Sequence, residues 1–228
     1  MTEIPPVPFL RKGVGAGPQD GGCIMQIVDF IDRNEWTDKP PCVHPVIREL
    51  AIYVNDRLPD DERQKLLDLG PRMSGTAGGD DSLTGKLLGF LARQVYPIYA
   101  EWAEKAGYDD KGAVLACIEA AESGRAAGAT QVAGARRADR AARAARAAEA
   151  ADAASAAWAA RAADAAEAAD AADAAWAARA ARAADAAGAV DPLTFLTALL
   201  DHYDEITGRT EIEPLDYAPV CEVMEARA

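Results

Sequence analysis

Cys42-Val43-His44, with Cys23 upstream, places two thiols and an imidazole within a short stretch of chain. Such side chains can hold zinc, or form a thiol nucleophile with a neighbouring base. The paired two-residue spacings of zinc sites are absent, and no fourth ligand stands out. His202, on the acidic stretch 201–205, is an alternative base, either exposed or raised in proton affinity by its neighbours. Asn55-Asp56 and Asp60, Asp61 and Glu62 concentrate carboxylates, but the last three read as a helix start whose charges complement the dipole. Glu119 and Glu122 lie one helical turn apart without the Glu-x-x-His partner of a carboxylate-bridged metal site. Gly78-Gly79 lacks the lysine and hydroxyl that follow a phosphate loop. The expectation is therefore no catalytic residue, no cofactor and no metal, with the cysteines buried as structural thiols.

The elements that carry these residues read as helices. Gly21-Gly22 opens a first one, with Ile24, Ile27, Val28 and Ile31 on one face. A proline-bearing loop over 34–44 follows, and Pro45 starts a second helix with Val46, Ile47, Leu50, Val54 and Leu58 at helical spacing. Asp61 and Gln64 can form a capping box for a short helix reaching Leu69. Residues 70–81 read as a glycine-rich turn. Ser82 opens a longer helix through Leu87, Leu91 and Tyr99, kinked at Pro97 and closed onto the core by Trp102. Asp109 or Asp110 caps a helix ending near Glu122. Asp191 as N-cap, Pro192 at N1 and Gly208 as the stop bound another, striped by Leu193, Leu196, Leu200 and Tyr203 and widened by Phe195 and Leu199. That stripe must be buried against something.

Between these parts runs an unusual register. From Arg140 to Gly188 each third residue is something other than alanine, and all between are alanine. Alanine is the best helix former, and no Gly or Pro interrupts 135–187, so a helix roughly 80 Å long if straight is expected. A period of three drifts by about 60° per step on such a helix and closes after about five turns. Trp158 and Trp176 therefore share one face, and Arg143, Arg161 and Arg179 share the next. The result has neither a wide apolar stripe nor a heptad seam. Its methyl-covered surface lets another helix come close, with the two indoles as anchors. These five residues are the candidate partner-binding set, for a protein partner or a second copy.

The chain carries 24 basic and 37 acidic residues, a net charge of −13. Residues 191–228 hold two basic and nine acidic ones, whereas 136–190 hold eight of each. A net basic face is missing, so nucleic acid is not an expected partner, although Arg136, Arg137, Arg140, Arg143 and Arg146 could meet anions. No apolar run is long enough to cross a membrane. Residues 1–20 lack the organisation of a secretory signal and read as a flexible lead. The four cysteines, Cys23, Cys42, Cys117 and Cys221, are sparse and widely spaced, which suits reduced thiols and a cytoplasmic location.

The region 22–76 resembles an alanine-rich protein family of actinobacteria and their phages. The resemblance is carried by Cys23, Pro40, Cys42, Pro45-Val46-Ile47, Asn55-Asp56, Leu58-Pro59-Asp60, Arg63, Leu66-Leu67 and Gly75-Thr76. It implies the same organisation, a later stretch of Ala-Ala units and a short helical tail, and no particular activity. Members often carry His-Pro before the cysteine where this chain has Lys39-Pro40, so an essential histidine at 39 does not carry over. A looser similarity, in composition alone, is to alanine-rich immunity proteins of polymorphic toxin systems. The expected architecture is all-α. It has a flexible lead (1–20), a small N-terminal helical domain (21–124), an alanine-rich helical arm (125–190), extended or folded back, and a C-terminal amphipathic helix with an acidic tail (191–228). The expected function is non-enzymatic, protein interaction or assembly through the arm. The alternative is an immunity or anti-defence protein that neutralises a protein partner.

Overall fold

A computed structural model describes residues 8–79, 81–106, 111–123 and 191–226. Among these residues the fold is all-α, and the only strand-like feature is a parallel bridge between Leu10 and Gly22. The helices are α1 (Ile24–Arg33), α2 (Pro45–Arg57), α3 (Asp60–Arg63), α4 (Gly70–Met73), α5 (Asp81–Ala106), α6 (Lys111–Glu122), α7 (Pro192–Thr207) and α8 (Ala218–Glu225). A 3₁₀ turn, Gln64–Leu69, joins α3 to α4.

The chain divides into two units, and the division is not sequential. Unit 1 comprises Met1–Gly78 and Asp204–Ala228, and unit 2 comprises Gly79–Tyr203. The second unit is thus an insertion, in sequence, into the first.

Unit 1 packs α1 against α2 and α8. Ile24, Met25, Ile27, Ile47, Leu50, Leu66 and Met73 are fully buried, each contributing about 2 kcal/mol of burial. The expected face of α1 is present, and Cys23 rather than a glycine is its N-cap. Asn34 ends α1 in the left-handed region at φ 57°, a conformation that asparagine tolerates. Pro45 opens α2 as anticipated. The short helix before Leu69 departs from expectation. Pro59 is its N-cap, the regular helix stops at Arg63, and Gln64 is drawn away to other partners. Residues 70–73 form α4 rather than an open turn. Helix α8, with Pro219 in its first turn, lies where an acidic tail was expected. Its Val220 and Cys221 are buried.

Residues 8–22 also differ from a flexible lead. Leu10 is fully buried, and the segment is tied to the body along its length. In unit 2, α5 packs on α6, and Leu87, Leu88, Leu91, Ala92 and Ile118 are buried. Pro97 stands inside α5. Helix α7 begins as its sequence dictates. The Asp191 carboxylate accepts from the Thr194 amide at 2.8 Å, and Gly208 beyond its end adopts φ 69°. Phe195, Leu196, Leu199, Leu200 and Tyr203 form its buried stripe, while Leu193 is only partly buried.

Candidate functional site

Of the thiols and imidazole that could do chemistry, His44 and Cys23 serve as helix caps. His44 is the N-cap of α2, and its Nδ1 accepts from the Val46 amide at 3.2 Å. That bond requires an unprotonated Nδ1, and burial together with Arg48 holds the imidazole neutral, its pKa pushed down to about 4. The His44 amide donates to Thr76 Oγ1 at 2.9 Å, and that hydroxyl donates to the Met73 carbonyl. The Ala77 amide closes the same staple on the Cys42 carbonyl. Cys23 is buried as a helix cap, and burial raises its thiol to about 11, far from a thiolate at neutral pH. Cys42 is half-buried beside Ser74 and Asp32, and burial raises its pKa too. No group of three or more potential metal ligands comes together among the described residues.

A second constellation is a row of side-chain carboxamides that read the backbone of residues 10–15. Gln64 accepts from the Leu10 amide at 3.0 Å and donates to the Leu10 carbonyl at 2.9 Å. Gln26 does the same at Gly15, at 2.9 and 3.0 Å. Asn55 donates to the Arg11 carbonyl at 2.9 Å and accepts from the Ile24 amide at 3.2 Å. The Asp56 carboxylate accepts from Gly13, and the Trp36 indole donates to the Gly15 carbonyl. A Cβ at Gly15 would collide with the Gly21 carbonyl, so glycine is required there. Arg63 lies beneath this row with its guanidinium buried, donating to the Asn55 and Leu58 carbonyls and paired with Asp60.

The third constellation joins the two sequence segments of unit 1. Arg72 and Asp204 pair at 2.7 Å with both side chains largely buried. Arg209 donates to the carbonyls of Arg72, Pro71 and Ser74 at 2.8, 3.1 and 3.0 Å, completing the end of α4. The Tyr217 hydroxyl donates to the Leu67 carbonyl at 2.6 Å, and a Cβ at Gly70 would strike it. Between these anchors residues 210–215, outside any helix, run beside a cavity of about 350 Å³. Pro71, Ser74 and Gly75 form one side of it. Arg209, Glu211, Glu213, Pro214 and Leu215 form the other. Sequence reading passed over this segment because its alternating Glu211 and Glu213 look like an ordinary solvated tail.

In unit 2, His202 is half-buried rather than a bare surface group. Its ring stacks on Phe90 with centroids 4.4 Å apart and planes at 12°. Glu122 binds Arg93 in a two-bond fork, and Tyr96 donates to the Lys111 carbonyl. Trp158, Trp176, Arg143, Arg161 and Arg179 lie outside the described residues, as does the expected alanine helix. No described helix is long and apolar enough to cross a membrane. Neither a family model, nor a curated protein, nor a solved structure matches this chain.

Proposed function

We propose that this chain is a non-enzymatic interaction protein whose alanine-rich segment meets a protein partner or a second copy. The observation that supports the reading best is the place of that segment in the chain. The register from Arg140 to Gly188 lies inside the insertion Gly79–Tyr203, whose flanks on both sides belong to unit 1. The register thus stands between the two sequence segments of unit 1. The helical reading sets Trp158 and Trp176 on one face, and large indoles flanked by methyl groups suit a close helix-to-helix contact.

The test is the double variant Trp158→Ala and Trp176→Ala. Its self-association or partner binding, measured by light scattering, is expected to weaken by about 3 kcal/mol, in the range of buried aromatic truncations. Helicity should be retained, since alanine is the better helix former. Full quenching of both indoles by iodide in the assembled protein, with normal assembly of the double variant, would falsify the reading.

A second reading, neutralisation of a protein partner through acidic surface, is favoured by the net charge of −13 and by the acidic C-terminal stretch. Dependence of partner binding on ionic strength separates the two, because a methyl-and-indole contact is weakly salt-sensitive.

A further inference from the structure

We propose that the arc from Phe9 to Gly15 is a preformed docking tip for an acidic segment of a protein partner that also carries apolar side chains. Among the described large apolar side chains, Val14 and Phe9 are the most exposed, at 63% and 57%. Between them stand Arg11 and Lys12, both exposed. Leu10 is the one large side chain of the arc that turns inward, and it is fully buried. The arc closes on itself at Gly21. A Cβ on Gly21 would lie 3.2 Å from the Phe9 ring, and a Cβ on Gly15 would strike the Gly21 carbonyl. Phe9 and the residue after Val14 therefore meet at one place, with the two cations on the span that joins them.

Single exposed apolar residues are ordinary at a protein surface. This pair differs because the backbone beneath it is held in a clamp of side chains. Gln64 binds Leu10, Asn55 binds Arg11, Asp56 binds Gly13, and Gln26 and Trp36 bind Gly15, all through main-chain atoms. The exposed side chains of the arc take no part in that clamp. Lys12 has no hydrogen bond or ion pair among the described residues, and Arg11 reaches only the Asp20 carbonyl, at 3.3 Å. The tip is thus ordered before a ligand arrives, so binding loses little freedom in ordering it. Charge selects the occupant. The chain carries −13, so Arg11 and Lys12 stand against its prevailing sign and draw an acidic partner to this place. The neighbouring Asp56 carboxylate is turned to the Gly13 amide and the Asn55 side chain. A short segment feels mainly the charges within a Debye length, about 8 Å, whereas an anionic bilayer is broad enough to be repelled by the whole chain. This contact belongs to unit 1 and does not depend on the alanine-rich segment.

The test uses the full chain and a fluorescent peptide, acetyl-Glu-Leu-Glu-Phe-Glu-amide, followed by anisotropy. Phe9→Ser with Val14→Ser is expected to weaken binding about tenfold, as loss of a contact's apolar anchors does. Arg11→Gln with Lys12→Gln is also expected to weaken it about tenfold, since two exposed ion pairs are worth together about one decade. Lys39→Glu makes the same change in net charge at an exposed site elsewhere and is expected to cost less than about twofold. The four substituted side chains of the arc are exposed and outside the clamp, so circular dichroism should be unchanged. Equal losses from Lys39→Glu and from the Arg11 and Lys12 pair would mean that the peptide answers only to net charge, and would overturn the proposal. So would unchanged binding by the Phe9 and Val14 pair, or no saturable binding by the parent up to about 1 mM. Sedimentation with phosphatidylserine vesicles that depends on these four side chains, without binding of the peptide, would replace the protein partner by a membrane and overturn it too. None of these outcomes touches the tryptophan contact, so either proposal can fail alone.

Discussion

His44 illustrates how much of this fold depends on single polar side chains doing backbone work. Its imidazole is neutral because burial, and then Arg48, disfavour the charged ring, and the neutral ring accepts from the Val46 amide. The folded pKa of about 4 lies below the ordinary 6.5, so between these values the unfolded chain binds the proton more readily. Its contribution is therefore full above about pH 6.5 and is lost as pH falls towards 4, amounting to about 3 kcal/mol. A His44→Asn variant keeps a capping oxygen without the titration. Its urea stability should fall less steeply than the parent's from pH 7 to 4.5, and parallel curves would remove His44 from the acid response. Asn55 carries a comparable load. Replacing it by alanine orphans the Ile24 amide and the Arg11 carbonyl, for an expected loss of about 2–4 kcal/mol in chemical denaturation. A change under about 0.5 kcal/mol would mean that water replaces both bonds.

At the scale of elements, the helix starts and stops were legible because their causes are local. Pro45 for α2, and Asp191, Pro192 and Gly208 for α7, act within a turn of where they stand. The clamp was not legible, because its partners lie far apart in sequence. Gln64 could serve Asp61 locally, yet it binds Leu10, whose position relative to Gln64 only the packed fold decides. The same holds for His44 and Cys23, whose residue types suggested chemistry and whose positions assign them to capping. Helix α8 was missed because Glu222 and Glu225 mask a short buried pair, Val220 and Cys221. Two checks belong at this scale. Asp191→Ala should lower the stability of α7 by about 1 kcal/mol, the ordinary worth of an N-cap, read from thermal melts. A peptide of residues 135–187 should show strongly helical circular dichroism at about 25 °C, and a coil spectrum would refute the sequence reading of the arm.

For the whole molecule, the non-sequential division is the dominant fact. Unit 1 needs both of its segments, since Arg209 and Tyr217 complete carbonyls that belong to residues 67–74. Replacing Gly79–Tyr203 with a flexible glycine–serine linker should leave a chain that unfolds cooperatively in urea. A broad, non-cooperative transition would show that unit 1 depends on its insertion. Truncation before Asp204 should instead leave a poorly folded chain, because the Arg72 pair and the Arg209 and Tyr217 bonds are lost together.

The distance in sequence between Leu67 and Tyr217 sets a condition on biosynthesis. The two bonded residues are 150 positions apart, so the acceptor leaves the ribosome long before its donor. At ordinary elongation rates the interval is roughly 10 s, far longer than helix formation and collapse. During that wait the nascent base has apolar surface that α8 has not yet covered, and the alanine-rich stretch is emerging behind it. A chain built this way benefits from a helix-prone, alanine-rich stretch that does not compete for that surface. Alanine methyls bury little area each, and residues 136–190 carry eight charges of each sign. The composition of the insertion thus also suits it to being synthesised in the middle of another fold.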